Sequence, residues 1–338
     1  MTTPKKKKKR RLKRKYRILR AIYLTIVLIA ALIVIGYAVF KIAVPAPTID
    51  PGISTEGEVS SVTAPGMETG DHHRREKTYT FMLTVPDQAS GNGDTIMVVT
   101  YDIPNQKVGM LSIPRDTLVN EPNAKINSCL VPGVDNLERA VSDLVGFPMD
   151  FYVLLDLDAF VEIVDAVGGV EFDVPVEMYY DDPAQDLHIH FQPGLQHLDG
   201  QEALEVCRFR YNADGTGYPL GDVQRTETAQ KMLLTVAKKV MSLDGLVNIG
   251  EFVDIVARNV ETDLSLADMT WFAAQAMGLN ISTGVSTGTL PGDGSVHYNG
   301  YDYCYELYPQ ESLALINELV NPYTTTMIQQ DVHIFQAP

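Results

Sequence analysis

The stretch Lys107-Val108-Gly109-Met110-Leu111-Ser112-Ile113-Pro114-Arg115-Asp116-Thr117 decides the fold class. The run 107–112 has the β-branched and alternating content of a strand, and the proline that follows cannot donate to a ladder. An Arg-Asp pair then sits on the loop leaving the strand, where α/β proteins tend to hold ligands. Upstream, 79–85 and 95–101 read as two more strands. Downstream, 137–145 is helical by spacing, 151–156 reads as a strand, 158–167 as a helix closed by Gly168-Gly169, and 170–174 as a strand. Segments 200–209, 222–243, 246–260, 266–277 and 311–319 read as helices. Strands early, helices late and a βαβ unit between them predict an α/β (α+β) domain with a mixed central sheet flanked by helices. No internal repeat is present.

The N-terminus has a separate organisation. Residues 1–20 form a basic tail, with twelve Lys or Arg and no acid between Lys5 and Arg20. Residues 21–40 carry no charge, and as a helix they span about 30 Å, the thickness of a bilayer's hydrocarbon core. The sequence therefore predicts a single-pass transmembrane helix at 21–42 with a cytoplasmic N-terminus and the rest of the chain outside the cell membrane. A cleaved signal peptide ending near Ala43-Val44-Pro45-Ala46 competes, but the apolar run is long for one and prolines make a poor cleavage site. Residues 43–77 read as a flexible extracytoplasmic linker, with His72-His73-Arg74-Arg75 as its solvated charge. One domain is expected over 78–322, followed by a tail at 323–338.

Charge narrows the function. The 338 residues hold 27 basic and 43 acidic side chains; removing the twelve basic ones of the tail leaves 15 against 43, a net of −28. A segment so acidic does not attract polyanions through its general field, and no helix-turn-helix or basic reading surface is present, so no nucleic-acid partner is expected. An anionic ligand must be captured locally. Arginines recur at element ends: Arg115, Arg208, Arg210 and Arg225. Planar guanidinium groups fit phosphate oxygens two at a time, so phosphate binding is the favoured reading. The bland alternative for Arg208 and Arg210 is a solvated helix end near Glu202 and Glu205, and for Lys125 and Asn127 a helix start with Asn127 as cap. His188, His190 and His197 read as surface strand residues rather than metal ligands. Met110 and the Met-Leu-Leu run at 232–234 read as core. Cys129, Cys207 and Cys304 show no metal spacing, and no histidine accompanies Cys207 as a nucleophile would require.

Several short motifs occur in one order: Asp94-Thr95-Ile96-Met97; Ser112 to Thr117; Lys125-Ile126-Asn127; Val164-Asp165-Ala166-Val167-Gly168-Gly169-Val170; Gly194 to Leu204; Arg208-Phe209-Arg210; and Gly221-Asp222-Val223-Gln224-Arg225. Together they resemble the LytR-CpsA-Psr family of membrane-anchored, Gram-positive cell-envelope ligases. The resemblance implies a Mg²⁺-dependent phosphotransferase. It would move a glycopolymer from a polyprenyl-pyrophosphate carrier to a peptidoglycan sugar hydroxyl, forming a phosphodiester, with an apolar pocket for the polyprenyl chain. By carry-over, Arg115, Arg208, Arg210, Arg225 and Lys125 hold the pyrophosphate, Arg115, Asp116 and Asp222 serve the chemistry, and Asp94 and Asp87 hold Mg²⁺. For acid-base work Asp222 is slightly favoured over Asp116.

Departures accompany the matches. The family has a glycine two positions before its first metal acid, where this chain has Val85. It has an arginine where Asn92 stands, and an Arg-Gln pair where Thr228 and Ala229 stand. A catalytically weakened wall- or lipid-binding module, or a pyrophosphate hydrolase, are the alternatives these changes raise.

Overall fold

The computed structural model describes residues 46–48, 72–86, 91–120, 124–182, 187–219, 222–240, 255 and 258–338. The chain divides into two compact units: Ile49–Ser265 with Gln275–Pro338, and Met1–Thr48 with Leu266–Ala274. The first carries the sheet and the candidate site. In chain order its elements are β1 (Thr78–Pro86), β2 (Gly93–Asp102), β3 (Lys107–Ile113), a 3₁₀ turn at Ile126–Leu130, α1 (Val134–Val145), β4 (Phe151–Leu155), α2 (Leu157–Ala166), β5 (Val170–Val174), β6 (Met178–Asp182), β7 (Leu187–Phe191), β8 (Gly194–Leu198), α3 (Gly200–Arg208), α4 (Asp222–Val240) and β9 (Val260–Thr262). The helix α5 (Leu266–Ala276) precedes β10 (Val285–Thr289), β11 (Gly292–Tyr298), β12 (Tyr301–Leu307) and α6 (Pro309–Leu319).

Six strands form one sheet in the order β10-β3-β2-β1-β4-β9. The β10–β3 and β1–β4 pairs are parallel and the others antiparallel, so the sheet is mixed as expected. Side chains alternate across a strand, which assigns each apolar residue to one of two cores. Met82, Ile96, Val98, Leu111 and Ile113 face one core with Leu137, Val141 and Leu144 of α1 and Ile316 of α6. Leu83 and Val85 face the other, with Phe160 and Val164 of α2, Val206 of α3 and Met232 of α4. Each fully buried aliphatic of this kind contributes about 1.5–3 kcal/mol. Met110 and Met232 are both buried, in line with the core reading.

Helix ends are set locally. Asp199 accepts from the Glu202 amide at 2.9 Å while the Glu202 carboxylate accepts from the Asp199 amide at 3.0 Å, a capping box that starts α3. The next residue must be small, because a Cβ on Gly200 would lie 2.3 Å from the Val161 carbonyl oxygen of α2. Helix α1 ends at Gly146 in the left-handed region, φ 82°.

Several expectations are corrected. Residues 72–77 belong to the folded unit rather than to a linker: Arg74 pairs with Asp150, Arg75 donates to the Asn321 carbonyl, and His72 stacks on Tyr323 at 5.2 Å. The reading of His72–Arg75 as solvated charge therefore fails. The C-terminal residues are no free tail either, since Met327 and Val332 are buried and Asn317 exchanges bonds of 2.9 and 2.8 Å with the Met327 backbone. Val260, read as the end of a helix, instead begins β9, pairing with Leu155 at the register Leu155↔Val260. Strand β10 and the β11–β12 hairpin were not anticipated, although Asn299-Gly300, both at positive φ, is a strong two-residue turn signal. The expected transmembrane segment at 21–42 and most of the 43–77 linker lie outside the described residues. Among the described residues, no helix is long and apolar enough to cross a membrane.

Glu138 gives a test of the α1 packing. Burial, then Asp263 and Asp135, push its carboxyl from 4.5 up to about 6. A folded-state value above the unfolded one means that ionisation favours unfolding, so this contribution to stability is present at low pH and lost as pH rises from about 4.5 through 6. Glu138→Gln is therefore expected to stabilise the protein at pH 7.5 by on the order of 1–2 kcal/mol, with no gain at pH 4. Thermal melts at the two pH values check this.

Candidate phosphate-binding pocket

The register of the sheet builds the site. In the β2–β3 ladder Ile96 pairs with Ile113 and Met97 with Ser112. Two residues beyond the Ile96–Ile113 pair, on the same end of the sheet, stand Asp94 and Arg115, and their side chains form an ion pair. The loop carrying Arg115 is held by its own turn, with the Thr117 hydroxyl donating to the Pro114 carbonyl at 2.6 Å. It is also tied to the 3₁₀ turn, where the Asn127 amide donates to the Arg115 carbonyl at 3.1 Å. Asn127 lies inside that turn and is buried, so the capping reading fails.

Three more arginines arrive from elsewhere. Arg208 ends α3, Phe209 is fully buried and anchors the chain, and Arg210 follows it. Arg225 lies near the start of α4. Asp94, Arg115, Arg208, Arg210 and Arg225 line one cavity of about 650 Å³. Of the two arginines at the end of α3, Arg208 is half-buried and Arg210 is exposed. The cavity's other walls include Ile96, Met97, Ile113, Leu187 and Leu204, all buried. Among the described residues that line it, four guanidinium groups face a single carboxylate, a local positive field within an acidic domain. That combination of fork-shaped donors over an apolar floor suits an anionic head on a hydrophobic tail.

The other predicted residues are placed differently. Asp116 and Lys125 pair with each other at 3.0 Å, and Lys125 also donates to the Asp302 carbonyl at 3.0 Å; neither lines the cavity. Asp222 is the first residue of α4, and its side chain lies outside what is described, as does Asp87. Among the described residues no group of three His, Cys, Asp or Glu side chains could hold a metal ion. The donor chemistry still fits Mg²⁺, which takes one or two carboxylates and completes its shell with water and substrate phosphate oxygens. Asp94 is such a carboxylate.

Of the departures, Ala229 lines the cavity, whereas Thr228 is buried and bonds the Tyr218 hydroxyl at 3.1 Å. Sequence reasoning missed Gln230, which is buried and donates to the Ser112 hydroxyl at 2.6 Å and to the Gly288 carbonyl at 2.9 Å, tying α4 to β3 and β10. It also missed Tyr180 and Tyr211 in the lining. Nothing local marks these three, because each acts through neighbours distant in sequence. Cys207 lines the cavity, but burial pushes its thiol up to about 12, which keeps it neutral and inert. The three cysteines form no disulfide with one another. His188 and His190 bond opposite oxygens of Asp181 at 2.6 and 3.0 Å on the exposed face of the β6–β7 hairpin, and His197 bonds Glu171, so the surface reading of the histidines stands.

The LytR_cpsA_psr family model matches residues 61–320. TagU of Bacillus cereus, a polyisoprenyl-teichoic acid–peptidoglycan teichoic acid transferase, is 30% identical over 247 residues, covering 71% of this chain and 77% of TagU. TagV of Bacillus subtilis, which carries the same transferase name, is 31% identical over 186 residues; the match spans 53% of this chain and 46% of TagV. The crystal structure of TagV superposes with a TM-score of 0.60 at 25% identity, covering 72% of this chain and 96% of that one. A structure of TagT bound to LI-WTA superposes at 0.56 with 23% identity, covering 72% of this chain and 89% of that one.

Proposed function

This chain belongs to the LytR-CpsA-Psr family, and on that premise we propose that it transfers a glycopolymer from a polyprenyl-pyrophosphate carrier to a sugar hydroxyl of peptidoglycan. One observation carries the reading: Arg115, Arg208, Arg210 and Arg225 converge on a cavity whose floor is aliphatic. The names of TagU and TagV support the substrate class.

In this reading the acceptor oxygen attacks the phosphorus that bears the sugar. The bond from that phosphorus to the bridging oxygen breaks, polyprenyl phosphate leaves with the electron pair, and a phosphodiester joins glycopolymer to peptidoglycan. Phosphoryl transfer of this type depends on positioning and charge neutralisation, which the guanidinium groups supply. Asp222, one turn before Arg225, takes the acceptor proton. Asp116 holds Lys125 and thereby the loop beside Arg115. Asp94 and Asp87 would hold Mg²⁺, whose charge would add to that of the arginines on the phosphate oxygens. The stretch at 21–42 anchors the protein in the cell membrane with the domain on the extracytoplasmic side.

A non-catalytic lipid-binding module is the second reading, favoured by Ala229, which brings neither charge nor hydrogen bond to the lining. The purified full-length protein, a short-prenyl pyrophosphoryl saccharide and uncrosslinked peptidoglycan, with and without Mg²⁺, separate the two by mass spectrometry. Saccharide joined to glycan through phosphate establishes the transferase. Prenyl phosphate released without joining indicates a hydrolase, and tight lipid binding without either product indicates the module.

A further inference from the structure

The cavity has a direction. Its lining residues Met97, Ser112 and Leu204 are buried, Asp94, Arg115, Arg208 and Arg225 are half-buried, and only Arg210 and Tyr211 are exposed. Exposure thus rises from buried, mostly apolar side chains through the half-buried ion cluster to a cation and an aromatic ring at the surface. A prenyl pyrophosphoryl saccharide is ordered the same way, with hydrocarbon, then pyrophosphate, then sugar. A hydrophilic polymer stays in water, so its first sugar belongs at the exposed end of the lining, where Tyr211 stands.

That ring is held in place. Tyr211 is 55% exposed, yet its ring meets Tyr180 edge-on, with centroids 6.1 Å apart and planes at 78°. Its backbone bridges to Gly217. The neighbouring Asn212 accepts from the Tyr179 amide at 2.7 Å and donates to the Thr216 hydroxyl at 2.9 Å, which fixes the 211–217 turn against β6. A fixed aromatic face with a polar hydroxyl presents a flat apolar surface to the C–H face of a pyranose at small entropic cost.

We propose that Tyr211, backed by Tyr180, is the stacking subsite for the sugar joined directly to the pyrophosphate. This rests on the transferase reading and assigns the saccharide end of the same cavity. The full-length protein in detergent micelles is titrated with two probes: a short-prenyl pyrophosphoryl N-acetylhexosamine, and the same prenyl pyrophosphate without sugar. Tyr211→Ala is expected to weaken the saccharide probe about five- to tenfold. The sugar-free probe should bind unchanged, which also shows that the variant is folded, and Tyr211→Phe should keep most of the saccharide affinity. An equal loss on both probes would place Tyr211 on the carrier and overturn the subsite, as would no loss on either. If the unaltered protein binds neither probe, the reading of the cavity itself fails, and the subsite with it.

Discussion

Arg115→Ala is expected to lower formation of the joined product by roughly 100- to 1,000-fold, the range seen when a transition-state donor is removed. Its side chain is only 18% exposed and is paired with Asp94 at the end of the sheet where three other arginines converge. Removing the guanidinium takes two oriented donors from the phosphate and leaves the Asp94 carboxylate facing the same anion. In the proposed transfer, both changes act on the charge that builds as polyprenyl phosphate departs. Arg115→Lys should fall between, because an ammonium keeps the charge but not the planar fork. The melting temperature should move little, since the position is at a loop and its partner is half-exposed. Steady-state assay of the two variants decides the matter; activity of Arg115→Ala within tenfold of the parent would remove this residue from the chemistry.

The second large effect is on stability. Arg74→Ala is expected to destabilise the protein by about 3 kcal/mol, the low end for breaking a buried ion pair from one side. The Asp150 side chain is 3% exposed and accepts from the Thr80 amide at 2.7 Å, the Thr80 hydroxyl at 2.9 Å and Arg74. Burial pushes its carboxyl above the ordinary value against the pull of Arg74, so losing the arginine leaves a carboxylate that is poorly solvated and missing its counter-charge. A domain of this size should melt about 6–12 °C lower. Asp150→Asn added to the Arg74 variant should recover part of that loss, because the orphan charge goes with it. A shift under about 2 °C would mean that residues 72–77 do not share the cooperative fold.

The pair also illustrates what could be read without coordinates. Arg74 stands in a Pro-, Gly- and Ser-rich stretch with no apolar period, and composition alone favours solvated charge there. Its partner is 76 residues away, and no local pattern announces a partner so distant. The same holds for Lys125, which carries a motif position yet turns to Asp116 and to backbone carbonyls of the β11–β12 hairpin. Strand β10 is a similar case: Val-Ser-Thr-Gly-Thr is too polar to signal a strand, and it pairs because β3 offers it an edge.

Local periodicity was enough for β1, β2, β3, α1, α2, α3 and α4, since alternation and 3.6-residue spacing record which face of each element meets a core. Residue type and motif order were enough to single out Arg115, Arg208, Arg210 and Arg225 as candidate phosphate ligands, because guanidinium chemistry belongs to the side chain itself, and Asp94 as a candidate metal acid. Their convergence on one cavity was decided only in three dimensions. The antiparallel register of β2 and β3 sets Asp94 opposite Arg115, the close approach of α3 to α2 at Gly200 fixes the course of α3 toward Arg208, and Gln230 ties α4, with Arg225, to Ser112. The rise in exposure along the cavity lining, from apolar side chains to an aromatic ring, was decided there too, because burial is a property of packing among distant segments and no single segment carries it.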